Sequence, residues 1–150
     1  MEVIKDIRTR KGANLNLKGG AEKILDKTVL PTNFAIRPDD FFGTIPKLIL
    51  REGAKVKKGS PIFLSKKSPN IKFVSPVAGT ITNIIRGPKR KIEKIIIKAS
   101  SKQDSIKYSV SGWDKKNRDD LKSLLANTGN WPFIHQRPYG VIADPTDTPK

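Results

Sequence analysis

Two lysines in a predicted turn, Lys66 and Lys67, are the first residues whose type and spacing indicate chemistry. They open the stretch KKSPNIKFVSPVAGTI, in which a polar turn precedes a short apolar strand and a second turn. A lysine ε-amine at the tip of a hairpin can form an amide with biotin or lipoic acid, which then serves as a mobile group carrier. The stretch therefore raises the hypothesis of a swinging-arm attachment site.

Other chemistry is excluded by residue type. The chain of 150 residues has no cysteine, which excludes disulfides, cysteine-ligated zinc and iron–sulfur clusters, and thiol nucleophiles. Its one histidine, His135, excludes a His-rich metal site and a histidine pair for acid–base catalysis. No acid or base lies next to it in the sequence, so we interpret His135 as structural. We therefore assign no catalytic, cofactor-binding or metal-binding residue.

The charge pattern points to an anionic neighbour. The chain carries 30 basic and 14 acidic side chains, a net charge of +16. A field of this size favours acidic proteins, acidic lipids or nucleic acid. The basic runs contain almost no aromatic residues that could stack on bases, so we do not expect nucleic-acid binding. The sequence has no apolar run long enough to span a bilayer and no signal peptide, which predicts a cytoplasmic location.

The elements that must position the lysines are predicted to be short strands. Alternating and apolar runs bounded by Gly and Pro predict strands at KLIL (47–50), PIFL (61–64), IKFV (71–74), TITNII (80–85) and KIEKIIIK (91–98). Shorter β-like pieces lie at VIKDIRTR, KTVLP and FAIRP. The FFG segment at 41–43 is predicted to be a loop with buried aromatic rings. A further strand is possible at Ile106–Val110. The period then changes over 114–127, which predicts a helix with Leu121, Leu124 and Leu125 on one face, Asp114 or Asn117 as N-cap and Gly129 as C-cap.

The central strands contain two similar half-motifs. EGxxVxxGxPI begins at Glu52, and SPxxGTI begins at Ser75. Two such halves facing each other give a flattened sandwich with a projecting hairpin. The order of these motifs resembles the biotinyl/lipoyl-like barrel-sandwich hybrid fold. In the carriers of that fold, the modified lysine lies eleven positions before the glycine that corresponds to Gly79. That position is Ser68 here, and a shift of one residue points a strand side chain to the other face.

The flanking sequence resembles a more specific family. IRTRKGANLNLKGGAEKIL, PKLILREGAKVKKGSPIF, the turn IIRGPKRK and WPFIHQRPYGVIADP follow one another as they do in the A subunit of the Na⁺-translocating NADH:quinone reductase. The resemblance covers nearly the whole chain. Two departures are Ala54, where the family turn usually reads EGD, and Asn70, where glycine is common after the hairpin proline. Asn tolerates the left-handed conformation, so the turn can be kept.

The resemblance implies a mainly β protein with a short helical C-terminal part, of class α+β. We expect N-terminal β segments at 1–46, a barrel-sandwich hybrid domain at 47–99, and a helix-containing linker with the start of a truncated α/β domain at 100–150. It also implies a peripheral subunit on the cytoplasmic side of the inner membrane. The whole complex would couple NADH oxidation and quinone reduction to Na⁺ export, with its flavins and iron–sulfur centre in other subunits. The missing part would be about two thirds of the family protein.

Within such a complex, the chain is expected to act in docking and assembly. Lys89, Arg90 and Lys91, which share one turn, are the predicted contacts with partner subunits, and membrane contact is expected only through the complex. Trp131, Phe133 and Tyr139 are candidates to line a quinone pocket or, alternatively, to pack against the next domain. Two other interpretations remain open at this point: the barrel domain of the related ferredoxin:NAD⁺ reductase complex, or a biotin or lipoyl carrier.

Overall fold

The computed structural model describes residue 12 and residues 18–25, 31–109 and 111–147. The predicted strand VIKDIRTR lies outside the described residues, as does KTVLP apart from Pro31. The division into segments 1–46, 47–99 and 100–150 remains a prediction.

The described part of the chain is built mainly from short strands. They are β1 (Asn33–Ile36), β2 (Pro46–Leu48), β3 (Lys55–Val56), β4 (Pro61–Ser65), β5 (Lys72–Val74), β6 (Gly79–Arg86), β7 (Ile92–Ala99), β8 (His135–Gln136) and β9 (Val141–Ile142), with the helix α1 (Arg118–Thr128) between β7 and β8. Single 3₁₀ turns lie at Pro38–Asp40, Trp113–Lys115 and Trp131–Phe133. The predicted central strands are confirmed with small shifts at their ends, and FAIRP is confirmed as β1.

Two antiparallel sheets enclose one core. One sheet has the order β1-β7-β6-β3 and the other β2-β4-β5, while β8 and β9 form a separate hairpin. The alternation of β7 places Ile95 and Ile97 on the inner face with no exposed surface. Ile62 and Phe63 of β4 are also fully buried and belong to the same apolar cluster. The predicted sandwich of two facing halves is therefore confirmed.

Two residues of the half-motifs explain why the sandwich closes. A Cβ on Gly79 would collide with the backbone carbonyl of Lys98 across the β6–β7 ladder, so only glycine permits this approach. Glu52, from the first half-motif, turns its carboxylate onto β6, where Oε1 accepts the Ile84 N–H at 2.6 Å. This bond lies just beyond the register shift between Ile81 and Asn83, where the strand is irregular.

The aromatic residues of the FFG loop divide between core and surface. The half-buried Phe41 ring lies edge-on to Phe73, with ring centroids 4.6 Å apart, and Phe63 stacks on Phe73 at 4.4 Å. Phe42 is 66% exposed. The expectation of buried aromatics in this loop is correct for Phe41 and wrong for Phe42, which lies in a tight turn closed by the Thr44 N–H donating to the Phe41 carbonyl at 3.1 Å.

The helix is confirmed, but it begins later than predicted. Asn117 is the N-cap, its side chain accepting the Asp120 N–H at 2.8 Å, and Gly129 closes the helix at φ +77°. The predicted apolar face is partly wrong, because Leu125 is exposed and Ala126 is the buried helical residue. The helix packs against β5, and Gly129 approaches Val74 so closely that a Cβ would collide with it.

The predicted strand at Ile106–Val110 is wrong over its described residues, 106–109. The segment makes only one parallel bridge, Ser105 to Lys58, and the Ile106 N–H donates to the Lys58 carbonyl at 2.9 Å. Gly59, at φ +85°, turns the neighbouring chain away directly after Lys58. The ladder therefore ends after a single bridge.

Candidate functional site: the covered hairpin and the basic turn

The hairpin between β4 and β5 holds the residues that first suggested a carrier. Its turn is closed by two main-chain bonds, from Ser65 N–H to the Ile71 carbonyl at 3.1 Å and from Ile71 N–H to the Ser68 carbonyl at 2.9 Å. Lys66 and Lys67 are exposed and Ser68 is half-buried. The two lysines therefore point into solvent beside the tip, while the position that carries the modified lysine in carriers faces the protein.

Ser68 is bound by the C-terminal segment. Its hydroxyl donates to Asp144 Oδ2 at 2.7 Å. The other carboxylate oxygen, Oδ1, accepts the Thr146 hydroxyl at 2.6 Å and the Thr146 N–H at 2.9 Å. The hydrogen bonds from Thr146 and Ser68 lower the pKa of Asp144 below its ordinary value of 3.8. The carboxylate is thus held ionised, with an acceptor aimed at the hairpin tip.

Two further contacts cover the hairpin. Lys72 Nζ on β5 donates to Asn127 Oδ1 of α1 at 2.7 Å. Trp131 is buried, and its indole N–H donates to the Ala143 carbonyl at 2.7 Å, which fixes the residue before Asp144. Helix α1 and the segment around Asp144 therefore hold the hairpin along one side.

A biotin or lipoyl group does not fit this arrangement. A swinging arm needs a lysine on a projecting tip, and here the attachment position is a serine whose hydroxyl is bound to a carboxylate. The hairpin keeps the geometry of the carrier scaffold without its reactive group.

The predicted partner contacts lie on a different turn, the tight hairpin between β6 and β7. Lys89 (φ 53°, ψ 29°) and Arg90 (φ 60°) both have left-handed backbones, and the Lys91 N–H donates to the Pro88 carbonyl at 3.1 Å. These are the features of a type I′ turn, whose central positions favour Asn and Gly. Lysine and arginine are strained there, which is a common sign of a functional constraint.

The three cations of this turn differ in their surroundings. Lys91 Nζ is 2.8 Å from Asp39 Oδ2, so its charge is already paired. Lys89 and Arg90 are exposed and form no ion pair with the described residues. Arg86 Nη1 donates a hydrogen bond to the Arg90 carbonyl at 3.4 Å, which stabilises the turn. Lys89 and Arg90 are therefore the two cations that the turn presents.

The three aromatic candidates do not share one environment. Trp131 is 7% exposed and belongs to the core, whereas Phe133 is 73% and Tyr139 82% exposed. His135 Nε2 lies 3.0 Å from the Pro132 carbonyl, a contact that needs its N–H and supports a structural role. The structure thus presents Phe133 and Tyr139 on the surface and uses Trp131 to hold the C-terminal segment.

The sequence did not predict the role of Asp144, whose carboxylate binds the residue at the carrier attachment position of the hairpin. The only local signal is ADPT at 143–146, since Asp before a turn often accepts hydrogen bonds from the residue two positions on. This signal predicts the Thr146 bonds, but the bond to Ser68, 76 positions earlier, needs the fold.

Together, the two-sheet core and the covered hairpin define the chain as a barrel-sandwich hybrid domain that lacks a carrier lysine. The chain belongs to the family described as the NqrA N-terminal barrel-sandwich hybrid domain, whose model matches residues 7–100. Residues 116–150 match the model of the NqrA second alpha/beta domain.

Similarity to individual proteins agrees with this membership. The chain is 32% identical over 146 residues to the A subunit of the Na⁺-translocating NADH-quinone reductase of Alcanivorax borkumensis and 30% identical over 145 residues to that of Pasteurella multocida. Both comparisons cover 95% of this chain, and 33% and 32% of the respective relatives. The chain therefore spans about a third of the length of the curated relatives it matches. Over the described residues, no helix has the length and apolar character needed to cross a bilayer.

Proposed function

We infer that the chain serves in a Na⁺-translocating NADH:quinone reductase as the amino-terminal region of the A subunit. Its role there is to dock and position other subunits, and it carries no prosthetic group of its own. The observation that supports this proposal best is the Ser68–Asp144 bond at the hairpin tip. Because the hydroxyl at the attachment position is bound to a carboxylate, we assign to the domain a binding role that depends on its shape and its charge.

The basic turn is the contact that we assign to a partner subunit. Lys89 and Arg90 lie on a strained, tightly hydrogen-bonded turn and meet no acid among the described residues. With a net charge of +16, the chain attracts acidic surfaces and repels copies of itself. The partner surface is therefore acidic, and membrane contact comes through the complex.

A quinone site is the second candidate function for this chain. Phe133 and Tyr139 are large exposed rings that precede and follow the β8 strand in the sequence, and exposed aromatic rings can stack on a quinone ring. In this proposal the iron–sulfur centre lies outside this chain, which has no cysteine to hold a cluster, and the flavins belong to other subunits.

The docking proposal is tested by co-purification. The tagged chain is incubated with detergent-solubilised reductase from which the A subunit has been removed, and the bound subunits are identified by mass spectrometry. We expect capture by the wild-type chain and about tenfold weaker capture by Lys89→Glu/Arg90→Glu. Lys115→Glu/Lys116→Glu is the matched control, because it changes the net charge equally on an exposed segment away from the turn. Equal loss in both variants, or no capture by the wild type, contradicts the proposal.

The absence of a carrier function has its own test. The chain is co-expressed with biotin ligase and, separately, with lipoate ligase, and its intact mass is measured. We expect no added mass. A biotinyl or lipoyl adduct on Lys66 or Lys67 would show that the hairpin is a carrier after all.

A further inference from the structure

A groove of about 630 Å³ lies between the open edges of the two sheets. One wall is the end of β2 and the chain that follows it, residues 48–52, and the other is Ile84 and Arg86 of β6. Over these residues β6 pairs only with β7, and β2 pairs only with β4, so each strand has one side facing the groove.

The main chain of the β2 wall has unused hydrogen-bonding groups. Ile49 N–H donates to the Ile62 carbonyl at 3.0 Å, and the Ile45 carbonyl accepts from Lys66 at 2.7 Å, so the odd-numbered residues bond to β4. In an antiparallel pair the intervening residues face the other way. Leu48 and Leu50 therefore direct their N–H groups outward, and neither bonds to another described residue.

The same edge carries an unusual amount of exposed apolar surface. Phe42 is 66%, Ile45 49% and Ile49 45% exposed, all within eight consecutive residues. Single exposed apolar residues are common, but a cluster along an open strand edge indicates a surface that another chain covers.

The charge of the groove selects the kind of chain. Lys47 projects from β2, and Arg51 and Arg86 line the groove. None of the three forms an ion pair within the described ranges. The one acid in the lining, Glu52, is already engaged by the Ile84 N–H. Because Glu52 keeps its charge while accepting this bond, the lining carries two cations, Arg51 and Arg86, against one acid, and its net charge is positive.

We propose that an extended segment of an acidic partner protein binds this groove by adding a strand to the outer edge of β2. Its main chain bonds to Leu48 and Leu50, its apolar side chains cover Ile45 and Ile49, and its carboxylates meet Arg51 and Arg86. A second copy of this chain is disfavoured as the occupant, since Pro46 cannot donate, Lys47 would face itself, and both copies carry +16. The proposal does not depend on the reductase assignment.

The test uses synthetic peptides and the whole ¹⁵N-labelled chain. The probe is an acetylated octapeptide of alternating glutamate and valine, and amide shifts are followed by NMR at low and moderate salt. We expect the largest shifts at Leu48, Leu50 and Ile84, and weaker binding as salt rises. The same peptide with every residue N-methylated, which cannot donate to the ladder, and an alternating lysine and valine peptide should each bind at least tenfold more weakly.

Variants of the chain separate the groove from the basic turn. Arg51→Glu should weaken binding of the acidic peptide about tenfold, and Lys115→Glu, with the same change of net charge, should leave it within twofold. Lys89→Glu/Arg90→Glu should also leave the affinity for the acidic peptide within about threefold of wild type. The groove proposal and the docking proposal for the basic turn can therefore be contradicted separately.

Three results would overturn the proposal. One is equal affinity for the acidic and basic peptides. Another is a shift pattern confined to Lys89 and Arg90, which would assign the acidic partner to the basic turn alone. The third is binding that appears only after deletion of residues 1–11, which would show that the chain's own N-terminal segment occupies the groove.

Discussion

The Ser68 hydroxyl and the Asp144 carboxylate lie 2.7 Å apart, although 76 positions separate them in the chain. Ser68 stands where a carrier domain would have its lysine, and Asp144 comes from the segment that closes over the hairpin. A neutral donor on an ionised acceptor is among the stronger hydrogen bonds of proteins. This pair joins the tip of the β4–β5 hairpin to the region that matches the second domain of the family.

Removing the Ser68 hydroxyl should loosen this junction. We expect Ser68→Ala to lower the free energy of unfolding by about 1 kcal/mol, because a half-buried carboxylate loses one of its donors. Chemical denaturation measures the change, and a double-mutant cycle with Asp144→Ala, which removes the acceptor, should give a coupling energy of similar size. Ser101→Ala, on an exposed serine, is the control and should change nothing measurable. Independent, additive effects of the two substitutions would show that the bond contributes no stability.

The junction should also weaken in acid. The pKa of Asp144 is lowered in the folded chain, mainly by the Thr146 hydroxyl and then by Ser68, from its ordinary value of 3.8. A lowered folded pKa stabilises the protein above the unfolded pKa, and this contribution is lost as the pH falls through the folded value. The stability difference between wild type and Asp144→Asn should therefore be constant above about pH 5 and shrink progressively below pH 3.8. A difference that grows in acid would contradict this account.

Gly79 should tolerate no side chain. A Cβ there would collide with the Lys98 carbonyl, at a position where β6 is held between β3 and β7. We expect Gly79→Ala to lower the free energy of unfolding by about 3 kcal/mol, since the backbone of the sheet must move. Thermal and urea unfolding report the change. Gly20→Ala, with no atom within 4 Å of the added Cβ, is the matched control and should stay within about 0.5 kcal/mol of wild type.

Substitutions in the basic turn should raise the stability of the protein and weaken its binding to a partner subunit. Replacing Lys89 by Asn and Arg90 by Gly fits the left-handed backbone of both positions. We expect Lys89→Asn/Arg90→Gly to raise the free energy of unfolding by about 1 kcal/mol and to reduce capture of acidic reductase subunits. Lys115→Gln/Lys116→Gln removes two charges elsewhere and should change neither property. A stabilised variant that still binds its partner fully would show that the strain serves another purpose.

Alanine substitutions of Trp131, Phe133 and Tyr139 should have different effects on the free energy of unfolding. Trp131→Ala should cost about 3 to 4 kcal/mol, since it empties a buried site and removes the bond to the Ala143 carbonyl. Phe133→Ala and Tyr139→Ala should leave stability within about 0.5 kcal/mol because both rings are exposed. Titration with a water-soluble quinone then tests the two exposed rings, and quinone-induced amide shifts at Phe133 and Tyr139 would support the proposed surface. Amide shifts at other residues, or no shifts at a saturating quinone concentration, would contradict the proposed quinone surface.

The strands could be predicted because their signals are local. Alternation in KIEKIIIK and proline or glycine at the ends of PIFL and TITNII place β7, β4 and β6 close to their observed bounds. The capping residues Asn117 and Gly129 fix the ends of α1 for the same reason. These residues act on backbone groups within a few positions of themselves.

What could not be predicted depends on neighbours that are distant in the chain. Leu125 fits an apolar helical face, yet it is exposed, and Ala126 is the residue that is buried where α1 packs against β5. Ile106 follows an ordinary strand pattern, but the neighbouring segment turns away at Gly59 after one bridge. Asp144 gives no sign in the sequence that it binds Ser68. Register and packing, which the linear pattern does not encode, decide each case.

The burial of Trp131 also provides an optical probe. The chain has two tryptophans, and the other, Trp113, is 63% exposed. Replacing Trp113 by phenylalanine leaves one tryptophan, whose indole N–H is held by the Ala143 carbonyl beside the Ser68–Asp144 junction. Its emission should be blue-shifted while the C-terminal segment covers the hairpin and move to the red when that segment detaches. The fluorescence of a single native tryptophan thus reports, without any attached dye, whether the tip of the β4–β5 hairpin is covered.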